Sequence, residues 1–178
     1  MDVDLVLVSS HLGARPDHAE WQGKVYSRNG GEGYPDFVSS TGYGTVSGLC
    51  GANCRHSFGP WFEGMGNPFE QYDTEENLKE YELQQRQRTL ERRIRNTKRE
   101  VMTLDTARTA AQGSFKDVFE NDYQRKAALL QKQNTAYNQY CKDNGLKKQS
   151  ERIAIAKWDR SQTARARAAA KRYKDENS

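Results

Sequence analysis

Between Asp73 and Gln112 the chain contains neither glycine nor proline, and this forty-residue stretch constrains the fold more than any other feature. Glycine and proline are the residues that interrupt helices most readily. A run that excludes both and is rich in Glu, Gln, Lys and Arg reads as helix, about 55–60 Å long if wholly helical. Ahead of it the composition inverts. All four prolines and all but two of the 14 glycines fall within residues 1–72, so that region must turn often. Charge divides at the same place: residues 1–72 carry four Lys/Arg against eight Asp/Glu, a formal −4, and residues 73–178 carry 24 against 16, a formal +8. With only 35% apolar residues and 29% charged ones, the chain is poor material for one compact core. The expected fold is α+β: a small Gly-rich Cys/His module over 1–72, then a basic helical region over 73–178 forming a helical hairpin or coiled-coil-like tail.

No segment approaches the roughly 18 uninterrupted apolar residues of a membrane span. The run Val3-Asp4-Leu5-Val6-Leu7-Val8 is too short and too acidic for a secretory signal. A soluble protein made in the cytoplasm, with no membrane partner, is therefore expected. Three cysteines, Cys50, Cys54 and Cys141, cannot all pair, and a reducing compartment argues against disulfides.

The helical region reads as three helices, at about 74–111, 115–144 and 151–175. Asp73-Thr74-Glu75-Glu76 sets an N-cap three residues before a glutamate, with acids at the positive end of the helix dipole. Leu83, Leu90, Ile94, Thr97, Val101 and Leu104 follow a 3–4 repeat, a narrow apolar stripe on an otherwise charged rod, suited to a partner helix. Gly113 breaks this helix, and Phe115, Phe119, Tyr123, Leu130, Tyr137 and Cys141 form the stripe of the second, which stops at Asn144-Gly145. A third begins near Ser150-Glu151 and runs through Ile153, Ala156 and Trp158 to Tyr173. Short connections favour antiparallel neighbours, and Cys141 reads as a buried thiol.

In the first region Val3–Val8 reads as a mostly buried strand, and Arg15-Pro16-Asp17-His18 opens a helix of about two turns that ends at Gly23. Lys24–Ser27 suits a second strand. From Asn29 to Gly48 only turns are expected, anchored by Tyr34, Phe37 and Tyr43. All three histidines lie here, with two cysteines in Cys50-Gly51-Ala52-Asn53-Cys54-Arg55-His56. Thiolates and imidazoles within one short loop suit tetrahedral zinc, with Cys50, Cys54 and His56 as ligands and His18 (or, less suited, His11) as the fourth. The alternative is that both cysteines pack as small apolar residues while the histidines bond to the backbone. A third reading is catalytic: Cys54 with His18 or His56 as nucleophile and base, or a metal-dependent nuclease or hydrolase using the same His/Cys cluster. No acid stands at a diagnostic spacing for either.

Two segments carry a resemblance. His11-Leu12-Gly13-Ala14-Arg15-Pro16-Asp17-His18 through Ser27 resembles the signature of the phage minor capsid protein 2 family. So does Thr41-Gly42-Tyr43-Gly44, followed by Gly48-Leu49-Cys50 through Asn53-Cys54-Arg55-His56 to Trp61. That family is similar in turn to the C-terminal part of the Mu F-like head morphogenesis proteins, whose R-P-x-H and N-C-R-H elements correspond here to Arg15, Pro16 and His18 and to Asn53, Cys54, Arg55 and His56. The resemblance runs from residue 9 to about 160. It implies a structural minor capsid or head morphogenesis protein, not an enzyme. Its partners would be capsid or portal proteins of the phage head, its place the virion, and its helices would also permit self-association. Members usually carry a long portion ahead of the first motif, near the portal vertex. Only eight residues precede Ser9 here, which leads us to expect a truncated or split copy, or a separate polypeptide supplying the rest.

The basic run Arg92, Arg93, Arg95, Lys98 and Arg99, with Arg160, Arg165, Arg167, Lys171, Arg172 and Lys174 in the last helix, adds a nucleic-acid reading. Such density suffices for non-specific contact with packaged phage DNA. The alternative is a solvated face, because Glu82, Glu91 and Glu100 intersperse the first cluster and Glu91 stands four residues before Arg95.

Overall fold

The computed structural model describes residues 3–30 and 33–177; Gly31 and Glu32, within the stretch read as turns, lie outside it. The order of elements is β1 (Leu5–Val8), α1 (Pro16–Ala19), β2 (Val25–Ser27), α2 (Phe37–Thr41), β3 (Phe58–Pro60), α3 (Thr74–Ala110), α4 (Ser114–Asp143) and α5 (Arg160–Glu176), with a single 3-10 turn at Glu151–Ile153 before α5. Two compact units result, residues 1–84 and 85–178. The division falls inside α3, because the opening turns of that helix are tied to the first unit. The Ala14 N–H donates to Asn77 Oδ1 at 2.9 Å, and Asn77 Nδ2 donates back to the Ala14 carbonyl at 2.9 Å.

In the first unit β1 is the central strand of an antiparallel sheet of order β2-β1-β3. Val6, Leu7 and Val8 are all buried. Both faces of this strand are covered, which is why its sequence shows no alternation. Val6 and Val8 pack with Trp21, Tyr26, Phe37 and Leu49, and Cys54 and Phe58 close the edge of the cluster. Three elements depart from the sequence reading or were absent from it. Phe37–Thr41 is a short helix where only turns were expected. The Asp36 carboxylate caps it by accepting the Ser39 N–H at 2.7 Å, and Gly42, at φ +62°, ends it; these caps override the poor helix propensity of Val-Ser-Ser-Thr. Phe58–Pro60 is a strand despite its glycine and proline, as an edge position allows. The helix at Pro16 makes one turn, not two.

The second unit is an antiparallel three-helix arrangement. Going up α3, the partners on α4 descend. Gln87 Nε2 meets Cys141 Sγ at 3.5 Å, Glu91 Oε1 accepts from the Tyr137 hydroxyl at 3.2 Å, Glu100 pairs with Lys126 at 2.6 Å, and Arg108 pairs with Glu120 at 2.8 Å. α5 returns along α4, and Arg165 reaches Asp105 at 3.2 Å while Arg172 reaches Glu120 at 3.2 Å. The core is Ile94, Val101, Tyr123, Ala127, Leu130, Tyr137, Cys141, Ala166, Ala169 and Ala170. Each large aliphatic or aromatic member contributes roughly 1.5–3 kcal/mol by leaving water. Alanines let α5 lie close against α4, whereas longer side chains fill the space between α3 and α4.

The α3 stripe read from the sequence holds, with Ile94, Thr97 and Val101 buried. On α4 the stripe fails in its first turn, where Phe115 and Val118 are exposed. α4 stops where expected: Gly145 takes φ +64°, and the Leu146 N–H returns to the Cys141 carbonyl at 2.8 Å, a left-handed glycine cap. The third helix starts later than the sequence suggested. Residues 154–159 are irregular, Lys157 has φ +63°, and the Asp159 side chain caps α5 by accepting the Gln162 N–H at 2.8 Å. Ile153 and Trp158 still pack on the core, but from a loop.

Glu91 also departs from its reading as a surface partner of Arg95. It is 1% exposed and faces Tyr137, whose hydroxyl in turn accepts the Gln149 N–H at 2.8 Å. Arg152 stands 3.9 Å from the other Glu91 oxygen. Burial, followed by the neighbouring Cys141 and Glu91, pushes the Tyr137 phenol up to about 12, so it stays a hydroxyl and donates to the carboxylate.

Candidate metal centre

The sheet brings two distant segments together at the end of β1. The Val8 N–H bonds the Lys24 carbonyl and the Gly23 N–H bonds the Val8 carbonyl, both at 3.0 Å, which fixes the turn after α1. One residue on, the Ser9 N–H bonds the Ser57 carbonyl at 2.8 Å and Ser9 Oγ accepts the Ser57 N–H at 2.9 Å, which fixes the entry to β3. His18 on α1 and the loop Cys50–His56 are thereby made neighbours.

The loop itself is wound too tightly for side chains at two positions. A methyl group on Gly48 would overlap the Gly42 carbonyl, and one on Gly51 would stand 2.5 Å from the Val46 oxygen and 2.6 Å from that of Thr45. Cys50 and Asn53 both take φ +59°. That conformation is ordinary for asparagine and uncommon for cysteine.

Among the described residues one group of His, Cys and acidic side chains has metal-binding proximity: the ligand atoms of His18, Cys54 and His56 all lie within 4.8 Å of one another. His18 and His56 are buried and Cys54 half-buried. Cys54 Sγ is 3.6 Å from His56 Nδ1. Of the four residues that the sequence offered as ligands, Cys50 is the one outside this group. It is exposed, with its sulfur 3.7 Å from the His56 carbonyl oxygen; Cys54 Sγ stands 4.0 Å from that same oxygen. Cys141 is buried in the helical unit.

The rings are packed together. His11 stacks on His56 at 4.3 Å between centroids, Trp21 meets His56 edge-on at 4.8 Å, and His18 lies 4.5 Å from Trp21 and 5.4 Å from His56. Trp21 is held by Tyr26, whose hydroxyl donates to the Trp21 carbonyl at 3.0 Å. Burial, together with His11, His18, Arg55 and Arg15, pushes the His56 imidazole down to about 3, so the ring is neutral. His11 is lowered, by burial first and then by Arg55 and His18, against the raising effect of the Leu12 carbonyl. The Cys50 thiol is raised by partial desolvation and by Cys54 beside it.

One participant escaped the sequence reading. Gln22 Oε1 accepts the His11 N–H at 3.1 Å and lies 3.0 Å from His56 Nε2. An amide oxygen only accepts, so His56 Nε2 carries the proton and Nδ1, facing Cys54, keeps its lone pair. Nothing about a lone glutamine after a tryptophan signals this. His18 Nε2 lies 2.9 Å from the Ser47 carbonyl, which also accepts from Arg15 Nη2 at 2.6 Å, and the same Arg15 nitrogen contacts His18 Nε2.

The basic run on α3 splits into two groups. Arg92, Arg93 and Arg99 are exposed. Arg95 donates to the Arg152 carbonyl, and Lys98 is buried, donating to the Ile153 carbonyl at 2.7 Å and lying 5.4 Å from the Trp158 ring centre. Burial lowers the Lys98 amine. These two cations fasten the loop ahead of α5. No helix among the described residues is long and apolar enough to cross a membrane.

Comparison with known proteins agrees with the motifs. A family model described as phage minor capsid protein 2 matches residues 1–142. A structural protein of Lactococcus phage LL-H is 38% identical over 101 residues, covering 53% of this chain and 27% of its own length. A structural protein of Lactococcus phage mv4 is 38% identical over 73 residues, covering 40% of this chain and 58% of its own length. The chain thus spans less than two thirds of either relative. No solved structure matches it.

Proposed function

Since the chain belongs to the phage minor capsid protein 2 family, we propose that it is a structural component of the tailed-phage head, acting through contacts with capsid or portal proteins and catalysing no reaction. The single observation that carries this reading is the family match over residues 1–142, joined by two relatives that are themselves called structural proteins. The geometry is compatible with it. The candidate metal centre is built from buried rings, and the helical unit presents long charged faces with Phe115 and Val118 exposed at the start of α4. Mass spectrometry of purified, DNA-filled heads is the test. Peptides of this chain should co-purify with the heads; heads that assemble normally and never contain it would refute the reading. The non-enzymatic part has its own check: DNA incubated with the protein and magnesium, manganese or zinc should remain intact. Cleavage abolished by His18→Ala would establish the nuclease alternative instead.

A second reading, non-specific contact with packaged DNA, is favoured by the exposure of Arg92, Arg93 and Arg99. Each phosphate neutralised contributes about 0.9 to the slope of log affinity against log salt. Reversing the charge of these three should flatten that slope by about two to three and weaken binding at low salt. A slope unchanged by the triple substitution would remove α3 from any DNA interface.

A further inference from the structure

We propose that His18, Cys54 and His56 hold a zinc ion, with Cys50 as the fourth ligand, in a closed structural site that staples α1 to the loop before β3. Three independent features of the geometry lead there. The first is distance. With zinc bonds of about 2.3 Å to sulfur and 2.0–2.1 Å to nitrogen, the sulfur–nitrogen edge of a tetrahedron is about 3.6 Å. Cys54 Sγ and His56 Nδ1 already stand 3.6 Å apart. The His18 nitrogen, within 4.8 Å of both, needs to close by about an ångström.

The second feature is the orientation of the imidazoles. A ligating histidine ordinarily donates its other ring N–H to a fixed acceptor, which sets the tautomer and aims the lone pair. Gln22 Oε1 fills that role for His56, while His18 Nε2 is held between the Ser47 carbonyl and the Arg15 guanidinium. Gln22 is itself fixed by the His11 N–H. The His56 lone pair on Nδ1 therefore faces Cys54 Sγ.

The third feature is the backbone at Cys50. Its left-handed conformation is one that residues with a side chain rarely adopt, and it sets the Cys50 sulfur against the same carbonyl as Cys54. This sulfur lies outside the group of ligand atoms within 4.8 Å of one another and must move toward it to complete the coordination shell. Thiolates are the ligands that zinc prefers, and both cysteines must release a proton as the ion binds. The site so formed has two sulfurs and two nitrogens and leaves no position for substrate, the arrangement of structural rather than catalytic zinc.

The test uses the whole chain. Protein purified without chelator should contain about one equivalent of zinc, and cobalt(II) exchanged into it should give the visible bands of a tetrahedral ion, with thiolate charge-transfer absorption corresponding to two sulfurs. Alkylation followed by mass spectrometry supplies a readout that needs no substitution: zinc should protect Cys50 and Cys54 and leave the labelling of Cys141 unchanged. Cys54→Ser should abolish binding and Cys50→Ser should halve the charge-transfer absorption, while Gln22→Ala, which keeps all four ligands, should weaken zinc by about 10–100-fold. Absence of zinc and of a cobalt spectrum in the wild-type chain would overturn the proposal, as would binding that survives Cys54→Ser. A cobalt spectrum with one thiolate would overturn the closed site.

Discussion

The two units of this chain reach a defined structure by opposite means. The helical unit repeats one device: side chains three or four residues apart line up, and three rods bury their stripes against each other. The first unit repeats nothing. It has short strands and one-turn helices, and its segments are joined by isolated contacts from side chain to backbone, such as Asn77 to Ala14, Asn67 to the Gly23 carbonyl at 2.8 Å and Gln71 to the same carbonyl at 3.1 Å. Damage in the first unit should therefore be local in cause and large in effect. In the second it should depend on whether the altered group is buried.

The largest effect is expected from Gly48→Ala. The added methyl would collide with the backbone of Gly42, and backbone cannot move aside as a flexible side chain can. We expect a loss of about 3 kcal/mol or more, read by denaturant unfolding followed through tryptophan fluorescence, with Trp21 and Trp61 reporting on this unit. A change below about 1 kcal/mol would mean that the loop is looser than described. Tyr137→Phe should come next. It removes the hydroxyl that donates to the buried Glu91 and accepts from the Gln149 N–H, leaving both groups short of a partner, at a cost of about 1–3 kcal/mol. Thermal unfolding followed by helix ellipticity measures it, and a neutral result would show that water or Arg152 replaces the phenol. The smallest effect is expected from Lys126→Ala. Its 2.6 Å pair with Glu100 is partly exposed and so contributes roughly 0.5 kcal/mol or less. A loss several times larger would make the α3–α4 contact depend on charge and not on its stripe.

The same contrast governed what could be read from the sequence. α3 was legible to within a residue because forty positions without glycine or proline, and an aspartate followed by acids, leave few alternatives. α5 was misplaced at its start because Ser150-Glu151 imitates a cap, while the working cap is Asp159 and apolar Ile153 and Trp158 serve the core without being helical. β3 and α2 were invisible for a related reason. Phe58-Gly59-Pro60 and Phe37-Val38-Ser39-Ser40-Thr41 are poor formers of strand and helix, and tertiary pairing with β1 and the caps at Asp36 and Gly42 decide their state. At the candidate centre, residue type alone drew attention to His18, Cys54 and His56, although 35 residues separate the first from the second. Their mutual distances, the rim position of Cys50 and the part played by Gln22 depend on two turns meeting at Ser9 and Gly23, which no local pattern encodes. The inward turn of Glu91, Arg95 and Lys98 was hidden because a charged residue on a charged rod gives no sign of which way it faces.

The alanine seam of α5 has a consequence for how such a chain can diverge. Ala166, Ala169 and Ala170 are at most 5% exposed, and any larger side chain there would have to push a whole rod outward, since close-packed interiors yield little. Arg160, Arg167 and Lys171, exposed on the remaining faces, carry no such restriction on size. The outer charge pattern of α5 can thus be recoloured without moving the rod, while the hidden inner seam admits no change in size.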